Sequence, residues 1–326
     1  MPKKNPIIRI VRDDGRGDEN PAFLIDGRRW HILAGGLENF DGIDSSVSTA
    51  EYAQYDGSYL LGERSSEVDR TIDIFGEDPH LTKDELRAEA ERFFTSRAPY
   101  EVHVEWMGRK RFFYARNYKL RIPVDANHSG QQVTWTCLAL DPYFLSEDET
   151  SFNVAEAKGK RGFPFISMAK RWAPSPENTS DAAAENVYGQ GGIAPTAHVK
   201  GFVVGVVSRM ITIENRGSAQ TYPRFEITAK GDVDKPSVTV KNAIGTEVCA
   251  FSMALTMHEG DRLAVDFAAR PTSITLNGSN VSNKVAPGST LTAALDPGSY
   301  KVSWAAASGD ASMGLVPTIR ERYVSI

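Results

Sequence analysis

"TCLALDPYFLSEDE" (residues 136–149) closes a run in which Val133, Trp135, Cys137 and Ala139 share one parity and then meets an abrupt stop. Period-two alternation of this kind specifies a half-buried strand. Pro142 has no amide to donate to a ladder, it pushes Asp141 into an extended conformation, and Tyr143 has the apolar body and polar tip that suit a domain edge. The acids Glu147, Asp148 and Glu149 that follow read as a solvated turn. Asp141, Pro142 and Tyr143 are therefore expected to mark a domain junction, where the strand stops because the domain stops.

Upstream of this junction the chain reads as strands around one helix. In "LTKDELRAEAERFFTS", Thr82 and Glu85 have the spacing of a capping box, and Leu81 and Leu86 that of a hydrophobic staple. Leu86, Ala90, Phe93 and Phe94 recur at helical spacing and form the face expected to lie on a sheet. The helix must end before Ala98-Pro99, because a residue preceding proline disfavours helical backbone. "VDRTIDIF" (68–75) and "YEVHVEW" (100–106) alternate as strands, and Met107-Gly108 turns the second into "RFFYARNYKLRI". An α+β domain spanning residues 1–145 follows.

Downstream, the pattern dissolves between 146 and 208. The stretch 173–198 has no Lys or Arg and is rich in Ala, Pro, Gly, Ser and Asn, the composition of a long loop or arm. "GFVVGVV" (201–207) reads as a short buried strand. From 209 to 326 short alternating runs (MITIEN, YPRFEITA, SVTVKN, EVCAFSMAL, RLAVDF, SITLNG, STLTAAL, SYKVSW and RERYVSI) are separated by turns such as Asn215-Arg216-Gly217, Asn277-Gly278 and Asp296-Pro297-Gly298. That spacing predicts an antiparallel β-sandwich, so the whole is mainly β.

Composition narrows function by exclusion. With 37 basic and 42 acidic residues the net charge is -5, and no basic block of the kind that tracks phosphates is present, so direct nucleic-acid recognition is not expected. Pro6 and charges interrupt any apolar leader segment in MPKKNPIIRIVRDDGRGDEN and no later window is apolar enough to span a bilayer, so the chain is expected to be soluble and made in the cytoplasm. Cys137 and Cys249 each sit in a strand-like run and read as buried free thiols. The six histidines lack metal-ligand spacing, and there is no nucleophile elbow or P-loop, so neither catalytic residues, metal nor cofactor is predicted.

A strand ending in "LDPYF" after a single helix and the EVHVEW hairpin resembles the end of the first domain of the distal tail proteins of long non-contractile-tailed bacteriophages. The order of "ITIENRGSAQTYPRFEI", "EGDRLAVDF", "ITLNGSNVS" and "LDPGSYKVSW" is similar to the same family's second domain. Together these stretches cover roughly 50–145 and 209–326; the segment 146–208 and the Ala34-Gly35-Gly36 region depart from the pattern. The resemblance implies a ring-forming belt domain followed by a galectin-like β-sandwich. It also implies a homo-hexameric ring in the virion at the distal end of the tail, joining the tail tube to the tip. The implied partners are the tail tube protein, the tip hub or tail-associated lysin, the tape measure protein and a receptor-binding protein. Within "EYAQYDGSYLLGERSSEVDR" (51–70), Tyr52, Tyr55, Tyr59 and Arg70 are the candidate inter-subunit contacts, since tyrosine supplies large contact area with a polar end. A carbohydrate-binding module of a tail fibre or tip protein is the alternative; there Trp172 and Tyr188 would be the peripheral contacts, whereas Trp304 alternates with Val302 and Tyr300 and is expected in the core. A glycoside hydrolase with paired carboxylates ranks third.

Overall fold

The computed structural model describes residues 5–52, 55–95, 97–124, 130–152 and 210–326. The loop expected at 173–198, the strand expected at 201–207 and the side chains of Trp172 and Tyr188 lie outside the described residues.

The first half comprises β1 (Ile7–Arg12), β2 (Ala22–Ile25), β3 (Trp30–Glu38), β4 (Ser45–Glu51), β5 (Ser58–Ser65), β6 (Val68–Gly76), α1 (Lys83–Phe94), β7 (Pro99–Trp106), β8 (Arg109–Arg121), β9 (Gln131–Ala139) and β10 (Phe144–Ser146). Its main sheet runs β2-β1-β7-β8-β9-β6-β3. β9 lies inside the sheet between β8 and β6, paired along its full length with β6 from Val68↔Ala139 to Gly76↔Gln131. Val133, Trp135, Cys137 and Ala139 are all fully buried, as their shared parity requires. Burial pushes the Cys137 and Cys249 thiols up to about 12, so both stay protonated and act as packing groups.

Helix α1 covers this face. Thr82 Oγ1 accepts from the Glu85 amide at 3.3 Å and the Glu85 carboxylate accepts from the Thr82 amide at 2.7 Å, completing the capping box. Leu86, Ala90, Phe93 and Phe94 are its buried residues. The Phe94 ring stands 4.9 Å from Trp135, Phe93 lies 5.9 Å from Tyr100, and Phe23 packs on both phenylalanines. Thr82→Ala removes the cap and is expected to lower stability by about 1 kcal/mol in urea unfolding.

The second half comprises β11 (Thr150–Ser151), β12 (Met210–Asn215), β13 (Pro223–Ala229), β14 (Val233–Asp234), β15 (Ser237–Asn242), β16 (Glu247–Ser252), β17 (Thr256–Met257), β18 (Arg262–Asp266), β19 (Ser273–Leu276), β20 (Ser279–Asn280), β21 (Gly298–Ala305), β22 (Met313–Ile319) and β23 (Arg322–Tyr323). Two sheets, β11-β22-β13-β18-β19-β20 and β12-β21-β15-β16, pack face to face as a sandwich. Phe225, Ile227 and Val265 of one sheet and Val240, Phe251 and Val302 of the other fill the core, with Trp304 at 6% exposure among them.

Three expectations fail for identifiable reasons. "STLTAAL" is not a strand: Thr290 N–H bonds to Ala250 O, while Leu295 exchanges bonds with Thr221, so its backbone serves separate neighbours and builds no ladder. β22 is a strand that the list of alternating runs lacks: despite Gly314 and Pro317, which weaken a ladder, it pairs with β13 from Pro223↔Ile319 to Ala229↔Met313. Finally, the chain does not leave the first sheet at Tyr143. Asp141-Pro142 is a corner, after which β10 re-enters and pairs with both β8 and β23, so the last strand of the chain returns to the first sheet.

Candidate functional site

Strands β4 and β5 pair with each other and with no other strand among the described residues. They form a two-stranded arm. The register slips where Ser48 opposes Gly62 and Thr49 opposes Leu60, leaving Leu61 as the extra residue of a bulge. On one side of the ribbon stand Val47, Thr49 and Leu60; on the other the Tyr52 and Tyr59 rings approach to 5.2 Å beside Ala50. None of the described residues covers either side: Val47 is 54% exposed, Leu60 60%, Leu61 63% and Tyr55 78%, and Tyr52 and Tyr59 are also exposed. An isolated two-stranded hairpin is at best marginal in water, and apolar exposure on both faces marks a surface made to be covered.

Arg70 does not share that surface, which corrects its expected place at a subunit contact. It has no exposure. Its position on β6 has the inward parity of Ile72 and Ile74, so the side chain enters the core, where the guanidinium lies 4.1 Å from the Phe144 ring centroid and 4.4 Å from that of Phe113. Its Nη2 donates to Pro142 O at 2.5 Å and its Nε to Asn39 O at 3.0 Å. Burial pushes its pKa down to about 10, which still leaves it charged at neutral pH.

Arg70 thus holds the Asp-Pro corner from inside the first sheet, and Arg322 holds it from the other side. Arg322 Nη2 donates to the Asp141 carboxylate, its guanidinium lies 4.3 Å above the Tyr143 ring, and Nη1 donates to Gln220 O at 3.2 Å. The Asn215-Arg216-Gly217 turn completes the clasp. A Cβ on Gly217 would stand 2.4 Å from Arg322 O, and Asn215 Nδ2 bridges Ala219 O and Leu295 O at 3.0 and 2.8 Å. Further contacts tie the same seam, with Arg111 stacked 3.6 Å over Tyr323, Arg320 paired to Glu149 at 2.7 Å and His103 to Glu147 at 3.1 Å. Asp141, Pro142 and Tyr143 therefore meet side chains from both halves. Arg322→Ala is expected to lower stability by about 2 kcal/mol and to split one calorimetric unfolding transition into two.

Sequence patterning missed Leu60 and Leu61 on the arm and Arg322, Arg111 and Asn215 at the seam. The adjacent leucines beside Gly62, in a segment without steady period, were a signal for the arm; the seam arginines have none, because their partners lie up to 214 residues away. Among the described residues no group of His, Cys, Asp or Glu has the arrangement of a metal site, and no helix is long and apolar enough to cross a membrane.

Residues 216–317 match the family described as the siphovirus-type tail component, C-terminal domain (SPP1_Dit). The crystal structure of SPP1 Dit, titled a paradigm of the hub adsorption apparatus in phages infecting Gram-positive hosts, is similar over 97% of this chain and 98% of that one, with a TM-score of 0.62 at 11% identity. A chain of the phage P2 baseplate in its activated conformation with calcium is similar over 99% of this chain and 100% of that one, with a TM-score of 0.52 at 9% identity. The same baseplate with strontium gives a TM-score of 0.51 at 9% identity, over 99% and 100% of the two chains. No curated protein matches the chain. Residues 216–317 thus match a siphovirus-type tail component domain, and the chain as a whole shares the fold of SPP1 Dit.

Proposed function

We propose that six copies of this chain close into a ring at the distal end of the tail, joining tail tube to tail tip and presenting the sandwich domains outward. The observation that carries this reading is the β4–β5 arm, whose two apolar sides are left uncovered by the described residues. A closed ring needs a head-to-tail contact between two different patches, and a projecting hairpin that lies on the next copy supplies one half of it. The proposed partners are the tail tube protein, the tape measure protein, the tip hub or tail-associated lysin and a receptor-binding protein. The role is architectural and requires no catalytic step. Trp304 points into the sandwich core at 6% exposure, which argues against its use in stacking on sugar. Native mass spectrometry with negative-stain imaging of the purified chain tests the reading: a ring of six is expected, and a strict monomer at every soluble concentration would overturn it.

A further inference from the structure

An open cleft of about 650 Å³ lies on the seam between the two halves, where the β7–β8 turn, the Asn215-Arg216-Gly217 turn and the last residues of the chain converge. Arg109, Lys110, Arg111 and Arg216 line it against a single carboxylate, Asp148. Two of these cations are already engaged, Arg111 with Tyr323 and Ser325 O, and Arg216 with Glu214 at 2.8 Å. Arg109 and Lys110 have no ion-pair partner among the described residues. They sit side by side at the first two positions of β8, just past the left-handed Met107-Gly108 turn. Both cations line the cleft beside this tight turn; across the β7–β8 pairing Lys110 stands opposite Glu105 and Arg109 opposite Trp106, so Arg109 is the one with no acid as its cross-strand neighbour. Such a concentration of one sign in a concavity focuses field and selects an anionic occupant.

The same chain carries an occupant of that chemistry. Within residues 45–65 the charged residues are Glu51, Asp56, Glu63 and Arg64, so the arm is net acidic, and two of its three carboxylates flank the exposed tyrosines Tyr52 and Tyr55. Strands of 7 and 8 residues extend roughly 25 Å, enough to reach beyond the parent domain. Arginine serves both halves of such a surface, pairing with carboxylates and stacking on tyrosine rings, as Arg322 on Tyr143 and Arg111 on Tyr323 already do in this seam. We propose that the acidic, tyrosine-bearing arm of one copy docks in the basic cleft of the next, with Arg109 and Lys110 opposite Glu51 and Asp56. This inference rests on the ring reading and names where the arm lands. It also places the contact on the clasp between the two halves, so that the arm of one copy reinforces the domain seam of its neighbour.

Charge reversal tests it in the full chain. R109E/K110E and, separately, E51K/D56K are expected to weaken association at least about tenfold and to flatten its dependence on salt. Combining the two reversals is expected to restore it, because the signs again oppose. The doubly substituted D56C/K110C chain is expected to give a ladder of disulfide-linked oligomers on a non-reducing gel, since the native thiols are buried. Unchanged melting temperatures of the reversed variants show that the fold is intact. Rings that persist through both reversals, without the crosslinked ladder, would overturn the landing site while leaving the ring; the cleft would then hold some other anion. A parent chain that never assembles would overturn the ring and the landing site together.

Discussion

Arg70→Ala is expected to lower the stability of the chain by about 3–5 kcal/mol, read as a large fall in the urea midpoint. A desolvated guanidinium between the Phe113 and Phe144 rings contributes about 2 kcal/mol or more. Its two donors satisfy Asn39 O and Pro142 O, and each acceptor left buried without a donor costs roughly 1–3 kcal/mol. Against these stands relief from burying a cation whose Nη1 has no partner among the described residues. The losses outweigh the relief because alanine also leaves a cavity among three aromatic rings, counting Phe40 at 5.9 Å. Arg70→Lys is expected to be nearly as damaging, since a point charge lacks the planar fork that serves both carbonyls while stacking. A shift of less than about 1 kcal/mol for the alanine variant would mean that the Asp-Pro corner does not depend on Arg70.

Replacing the arm, residues 45–65, with a short Gly/Ser linker has the opposite profile: assembly is expected to vanish while the melting temperature stays where it was. The arm shares no ladder with the main sheet, and none of its residues belongs to the buried core of either half. Its removal should therefore leave the fold untouched. It takes away exposed surface at Val47, Leu60, Leu61 and the tyrosines, the apolar area that a neighbouring copy would cover. Sedimentation velocity on the shortened chain reads the result directly. Rings of normal mass from a chain without the arm would move the subunit contact elsewhere on the first domain.

Much of the fold is legible in the sequence because its strands are half-buried and alternate cleanly. β9, β7, β15 and β21 announce their inward parity, and α1 carries both of its start signals. β22 is not legible, because Gly314 and Pro317 obscure a ladder that pairing with β13 nevertheless builds. The corner at Asp141-Pro142 was visible as a break, but its sense was not. Whether a chain that stops a strand leaves the sheet or re-enters it depends on β23, which comes from the far end of the molecule. Arg70 shows the same limit from another side. A charged residue among acids reads as surface, although the alternation of VDRTIDIF puts Arg70 in phase with Ile72 and Ile74; the pairing Arg70↔Cys137 in the middle of the sheet shows that this parity is buried. The arm lies between these cases. Its tyrosines stood out in the sequence and the structure leaves them exposed, whereas Leu60 and Leu61 fall on a bulge, where period-two reading loses its phase.

The most direct measurement of the central claim, that the arm is covered by a neighbouring copy, is hydrogen exchange of its backbone amides, compared between a dilute monomer and the assembled species. Strand residues 45–51 and 58–65 should exchange rapidly in the monomer, where a lone hairpin opens easily, and become strongly protected on assembly. Equally rapid exchange of the arm in a fully formed ring would contradict the account.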